Sequence, residues 1–167
     1  MSQPVLDITD RKAKLGRELY TALYFLPETG KMIVAPTNVN GIGGFYYEQD
    51  EATLLEPPLD SAELGRLARA ALIAFDVKLQ DMRNRKASDW AAYRVSGLKS
   101  IRAFEHAAIR ITIETINTTL RLEAWPTLNG TTFVGGYLPP SAEHSEMGAL
   151  IKQVVACCQK LRAERLA

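Results

Sequence analysis

Glu63-Leu64-Gly65-Arg66-Leu67 and Glu146-Met147-Gly148-Ala149-Leu150 repeat one pattern: a carboxylate, an apolar residue, a glycine and a further apolar residue at helical spacing. Each opens an apolar stripe. In the first, Leu64, Leu67, Ala68, Ala71, Leu72, Phe75, Leu79 and Met82 recur at steps of three and four, which predicts one continuous amphipathic helix ending near Met82. In the second, Met147, Leu150, Ile151, Val154, Val155, Cys158 and Leu161 predict the buried face of a helix from about Ala142 to Arg165. Pro57-Pro58 and Pro139-Pro140 break the chain before each, and Asp60 or Ser61 can cap the first.

The stretches ahead of the two helices also match in order. Leu19 to Leu26 and Lys31 to Ala35 flank the turn Pro27-Glu28-Thr29-Gly30 and read as a β-hairpin, with Phe45-Tyr46-Tyr47-Glu48 as a third strand. Thr53-Leu54-Leu55 either extends that strand or pairs separately. In the second half, Ile109-Arg110-Ile111-Thr112-Ile113-Glu114 and Leu120-Arg121-Leu122-Glu123-Ala124-Trp125 alternate strictly around the turn Asn117-Thr118. Thr131-Thr132-Phe133-Val134, before Gly135-Gly136, makes a third strand. Ala35-Pro36-Thr37-Asn38-Val39-Asn40-Gly41 is echoed by Trp125-Pro126-Thr127-Leu128-Asn129-Gly130. Between the halves, Ser88 and Ser100 suit the starts of two short helices and Gly97 the end of one. A short helix from Asp10 precedes the first strand.

One-sided strands and one-sided helices close a common core when the sheets join or pack together. The expected fold is α+β: a single domain over residues 1–167, built from two pseudo-repeated ββ(β)α units at about 17–84 and 105–167. Its sheet or sheets are antiparallel and packed by the two long amphipathic helices. A chain of 167 residues buries roughly 70% of its unfolded surface, so it needs no metal or disulfide to fold.

The two cysteines, Cys157 and Cys158, are adjacent in a helical pattern, where neighbouring side chains diverge by about 100° and are badly placed to bridge. Met1-Ser2-Gln3-Pro4 lacks the regions of a secretory signal, and no run reaches the roughly 20 apolar residues that span a bilayer. A cytoplasmic protein without membrane contact is expected. The net charge of +1 conceals −3 over residues 1–84 and +4 over residues 85–167, a balance unlike that of a direct nucleic-acid binder.

Sites of chemistry are sparse. Cys157-Cys158 with His106 or His144 could imitate a thiol–imidazole pair, but Cys158 lies on the apolar stripe and reads as packing, and neither histidine has a second ligand at metal spacing. Gly41-Ile42-Gly43-Gly44 lacks the Gly-Lys-Ser/Thr ending of a phosphate loop and precedes a strand. No catalytic residue, metal site or cofactor is expected. Glu48, Asp50, Glu51, Glu56, Asp60 and Glu63 share a segment without Lys or Arg, where clustered carboxylates repel one another unless something external neutralises them. A solvated loop explains that segment as well as an interface does. Glu48, Asp50, Glu51 and Glu56, with the aromatic Tyr46 and Tyr47, are the expected partner-binding residues, and Trp90 is a further aromatic candidate. The basic set Arg83, Arg85, Lys86, Lys99 and Arg102 is read as an anion site or as plain solubilising charge.

Three stretches together resemble the immunity proteins of bacterial contact-dependent growth inhibition systems. They are Leu19 to Phe45 with the following Glu63-Leu64-Gly65 helix, Trp90 through Lys99-Ser100-Ile101-Arg102-Ala103-Phe104 into the Ile109 strand, and Leu122 to Gly136 with Pro126. The match is one of pattern and covers most of residues 19–158. The resemblance implies a non-enzymatic cytoplasmic antitoxin, monomeric or weakly dimeric. Such a protein binds and blocks the C-terminal toxin domain, often a nuclease, of a cognate effector. It carries over no contact residues. A secretion chaperone holding an extended segment is the competing reading, and such chaperones are generally dimers. A small enzyme or ligand sensor is the third, and it requires a deep pocket with convergent polar groups.

Overall fold

The computed structural model describes residues 7–41, 44–127 and 130–165. Its helices are α1 (Ile8–Leu15), α2 (Ser61–Ile73), α3 (Ala91–Ser96), α4 (Ile101–Ala107) and α5 (His144–Ala163). Its strands are β1 (Tyr20–Leu26), β2 (Lys31–Val39), β3 (Tyr46–Glu48), β4 (Thr53–Leu55), β5 (Asp76–Val77), β6 (Ile109–Ile116), β7 (Thr119–Trp125) and β8 (Val134–Leu138). One eight-stranded sheet runs in the order β3-β2-β1-β6-β7-β8, with β4 and β5 also pairing with β2. All pairings are antiparallel except that of β5 with β2. The fold is therefore α+β in a single domain, as expected. No helix among the described residues is long and apolar enough to cross a membrane.

Alternation along β6 and β7 divides their residues between the two faces of the sheet. Ile109, Ile111, Ile113, Leu120, Leu122 and Ala124 meet α2 and α5 in the larger core, beside Leu64, Ala68, Leu72, Met147, Ile151 and Val154. On the opposite face Ala22, Tyr24, Leu26, Ile33 and Ala35 pack under Ala92 and Phe104 of α3 and α4. The two repeated glycines lie where the long helices cross. A Cβ on Gly65 would sit 1.7 Å from the His144 carbonyl oxygen, and one on Gly148 would sit 1.9 Å from that of Ser61. Only hydrogen at those positions lets the two backbones touch.

Local signals are well obeyed. Asp60 accepts the Glu63 amide at 2.8 Å, Ser100 accepts that of Ala103 at 3.1 Å, and Gly97 ends α3 with φ of 72°. At the start of α5, Glu146 reaches back to the Glu143 amide at 2.8 Å. Asn117, with φ of 54°, carries the tight turn between β6 and β7.

Three expectations require correction: Ser88 starts no α-helix, since it lies inside a 3-10 turn over Ala87–Asp89 and α3 begins after Trp90 with no side-chain cap. The α2 helix does not run to Met82: it stops at Ile73, Leu79 is 88% exposed, and Met82 begins a separate 3-10 turn. Ile73, Phe75 and Val77 are weak helix formers. The carbonyls beyond the helix end find distant donors, with Gln49 Nε2 reaching the Ala74 oxygen and Arg11 Nη2 the Phe75 oxygen, both at 2.7 Å. Phe75 instead turns into the core and Asp76–Val77 joins β2 alongside Asn38–Val39. The third strand of the second half is also displaced. Thr131-Thr132-Phe133 precede it, whereas Gly135 and Gly136 lie inside β8. A Cβ on Gly136 would meet Leu150 of α5 at 2.9 Å, so a bare strand is what lets that helix approach. The pseudo-repeat itself stays a reading of the sequence.

Candidate functional site

The acidic segment is dispersed by the fold. Glu48 is 6% exposed, at the inner end of β3, and its oxygens accept Trp90 Nε1 and the Ala92 amide, each at 2.7 Å. Burial raises its carboxyl pKa above the usual value, against the pull of those donors. Glu56 pairs with Lys31 at 2.9 Å, Asp60 caps α2, and Glu63 holds Arg66 at 2.7 Å. Lys31 of β2 and Arg66, one turn further along α2, thus supply cations that the segment itself lacks. Asp50 and Glu51 stay exposed, and among the described residues neither forms an ion pair. The backbone oxygen of Asp50 accepts Arg94 Nη2.

The two tyrosines of β3 separate in the same way. Tyr46 is 46% exposed and stacks on Tyr20, with ring centroids 4.2 Å apart and planes 18° from parallel. Tyr47 is buried. Its hydroxyl donates to the Lys78 carbonyl at 3.1 Å, and the Arg85 guanidinium lies over its ring at 5.0 Å. Trp90 binds inward, edge-on to Phe104 at 5.0 Å. The partner-binding set therefore contains exposed members, Asp50, Glu51, Glu56 and Tyr46, and inner ones, Glu48 and Tyr47.

The remaining candidates scatter. His106 and His144 are exposed on α4 and α5, Cys157 is exposed, and Cys158 is buried with its thiol pushed up to about 11 by burial. A thiol held protonated is a poor nucleophile. Of the basic set, Arg83 folds onto Asp81 at 3.0 Å, while Lys99 and Arg102 lie exposed around the start of α4. Ile42 and Gly43 of the Gly-rich stretch fall outside the described residues.

A cleft of about 300 Å³ opens on the sheet face opposite α2 and α5, where the cover of α3 and α4 ends. Tyr20, Tyr24, Tyr46, Tyr47 and Trp90 line it together with Glu48, Arg85, Lys86 and Arg110. Arg110 stands opposite Tyr24 in the β1–β6 register, and its Nη2 donates to the Tyr20 hydroxyl at 2.9 Å. Burial pushes the Tyr24 phenol well above its ordinary pKa, and the neighbouring Glu48 adds to the effect. Sequence reasoning missed Arg110 because the strict alternation of β6 assigns it to solvent, and Tyr20 because the aromatic residues of the non-alternating β1 read as core. Beyond the cleft the face continues across β7 and β8, where Arg121 bridges Glu114 and Glu123, and Phe133 and Tyr137 are 52% and 67% exposed.

No family model matches the chain, and no curated protein matches it. The fold is similar to that of a protein of unknown function from Neisseria meningitidis, with a TM-score of 0.65 and 17% identity over 85% of this chain and 96% of that one. It is also similar to a chain of a CdiA-CT/CdiI toxin and immunity complex from Yersinia pseudotuberculosis, with a TM-score of 0.58 and 13% identity over 84% of this chain and 97% of that one.

Proposed function

We propose that this chain is an immunity protein of a contact-dependent growth inhibition system. It acts in the cytoplasm, without catalysis, by binding the C-terminal toxin domain of a cognate effector. The supporting observation is the fold likeness to a chain of a toxin and immunity complex, which extends over 84% of this chain and 97% of that one. The pseudo-repeat of two ββ(β)α units belongs to the same reading. The toxin is a nuclease in this proposal, because nucleases that hold phosphate backbones carry basic grooves that an acidic surface complements.

The contact surface in this reading is the exposed set Asp50, Glu51, Glu56 and Tyr46, with Glu48 and Tyr47 holding β3 in place beneath it. The test is co-purification with the C-terminal domain of a large secreted effector encoded next to this chain. Failure to form a complex refutes the function. Within a complex, Asp50→Lys, Glu51→Lys and Glu56→Lys together should slow association at least tenfold and flatten its salt dependence. Unchanged kinetics refute the surface and leave the function standing.

A further inference from the structure

Arg110 is a cation partly withdrawn from water and without a direct ion pair. Among the described residues no carboxylate lies within ion-pair distance of it, its Nε is shut off from solvent with no acceptor, and one bond to the neutral Tyr20 hydroxyl accompanies it. That buried Nε and the open space beside it leave an arriving anion charge-assisted hydrogen bonds to make. Glu48 shares the cleft and its charge favours the charged form of Arg110, but its hydrogen bonds go to Trp90 and Ala92 and none goes to Arg110. Arg85 and Lys86 stand on the same cleft wall, so the lining holds three cations against one carboxylate.

The shape selects further. Tyr20 and Tyr46 are stacked as a flat double wall, Trp90 and Tyr24 face each other edge-on at 6.2 Å, and Ala22 keeps the space between them open. Flat aromatic walls favour a planar guest by stacking, and a guanidinium favours a carboxylate through paired charge-assisted hydrogen bonds. The volume of about 300 Å³ is at the lower end for ligand sites and suits one or two fused rings.

We propose that this cleft binds a small planar aromatic carboxylate, with the carboxylate on Arg110 and the ring against Tyr20 and Tyr46. The cleft shares Tyr46 with the proposed toxin-contact surface, but its ligand and its test involve no toxin.

The test uses the full chain labelled with nitrogen-15 and titrated with benzoate, with its neutral isostere benzamide, and with acetate. Benzoate should shift the amides of Ala22, Thr37 and Thr112, bind at least about tenfold more tightly than benzamide, the difference that charge-assisted bonds supply, and bind more tightly than acetate, which has no ring to stack. Arg110→Gln should abolish that preference, Arg110→Lys should keep part of it, and Tyr46→Ala should weaken benzoate while leaving acetate unchanged. The labelled spectrum reports whether each variant is folded, and Tyr46→Ala tests the site separately if Arg110→Gln does not fold. Equal binding of benzoate and benzamide overturns the proposal. So do benzoate shifts confined to residues outside the cleft, or folded Arg110→Gln and Tyr46→Ala variants that bind benzoate as the parent does.

Discussion

Replacing Gly65 by alanine sets two effects of opposite sign against each other. Gly65 lies in the body of α2, where alanine is favoured over glycine by about 1 kcal/mol, so helix propensity alone predicts a more stable protein. Packing predicts the reverse. The new methyl would lie 1.7 Å from the His144 carbonyl oxygen, 2.6 Å from its carbon and 3.0 Å from the Gly148 nitrogen, all backbone atoms that no rotamer change can move. Restoring the ~3.3 Å of a close carbon–oxygen approach separates α2 from α5 by roughly 1.5 Å. Leu64, Ala68, Met147 and Ile151 then lose part of their contact. Overpacking costs about 1–3 kcal/mol, and backbone against backbone places this case at the upper end. The expected net loss is about 2 kcal/mol, or a fall in Tm of about 4–8 °C for a domain of this size. Urea denaturation and thermal unfolding measure it. Ala70→Gly, at an exposed position of the same helix, calibrates propensity alone and should lose about 1 kcal/mol. Gly65→Ala and Gly148→Ala share one crossing, so the double variant should lose less than the sum of the singles. A Gly65→Ala protein as stable as the parent, or more so, would refute the close crossing.

The other predictions concern single groups. Glu48→Ala leaves the Trp90 and Ala92 N–H groups without their acceptor and should cost about 3 kcal/mol in denaturant unfolding. Because burial raises the folded pKa of Glu48 above 4.5, the folded state binds the proton more tightly than the unfolded one. The contribution of Glu48 to stability therefore falls as pH rises above 4.5 through the folded pKa, and the stability difference between the parent and Glu48→Ala should shrink over that rise. A difference that grows with pH contradicts this. Native protein should give one fast equivalent with a thiol reagent, from Cys157, and two after unfolding, since Cys158 is buried and its thiol titrates at about 11. Two fast equivalents in the native state would exclude that burial. Arg162 donates to the carbonyls of Pro126, Ala107 and Ala108, so Arg162→Ala should cost about 2 kcal/mol, with Arg162→Lys restoring only part because it lacks the planar fork. Full rescue by lysine in thermal melts would mean that charge, not geometry, is what matters there.

Features decided within a few residues were legible in the sequence. The tight turn at Asn117, the caps at Asp60 and Ser100 and the strict alternation from Ile109 to Trp125 are local physics, and each stands where the pattern put it. Features decided by partners far along the chain were not. The apolar stripe runs to Met82 in sequence, yet Gln49 and Arg11 supply the donors that accompany the helix end at Ile73. Glu48 reads as one carboxylate among six until Trp90 and Ala92, more than forty residues away, arrive as its donors. Arg162 lies in the last turn of α5, where nothing nearby in sequence shows that it ties the helix to the carbonyls before β6 and after β7.

The cleft has a signal of a different kind, found by comparing neighbouring strands. On the second face of the sheet β1 presents Tyr20, Ala22 and Tyr24, whereas its partner β6 presents Glu114, Thr112 and Arg110 opposite them. An aromatic row paired with a charged row means that the cover over the sheet stops at that seam. The α3 and α4 helices, of six and seven residues, cover the β1–β2 side, where Tyr24, Ile33 and Ala35 pack. Where cover ends, side chains long enough to reach from the sheet become walls, and a charged one gains a half-dry environment that solvent exposure would have denied it. Arg110 lies on that seam, and the same position that makes it look like a surface residue in the sequence makes it the one cation in the cleft rooted in the sheet itself.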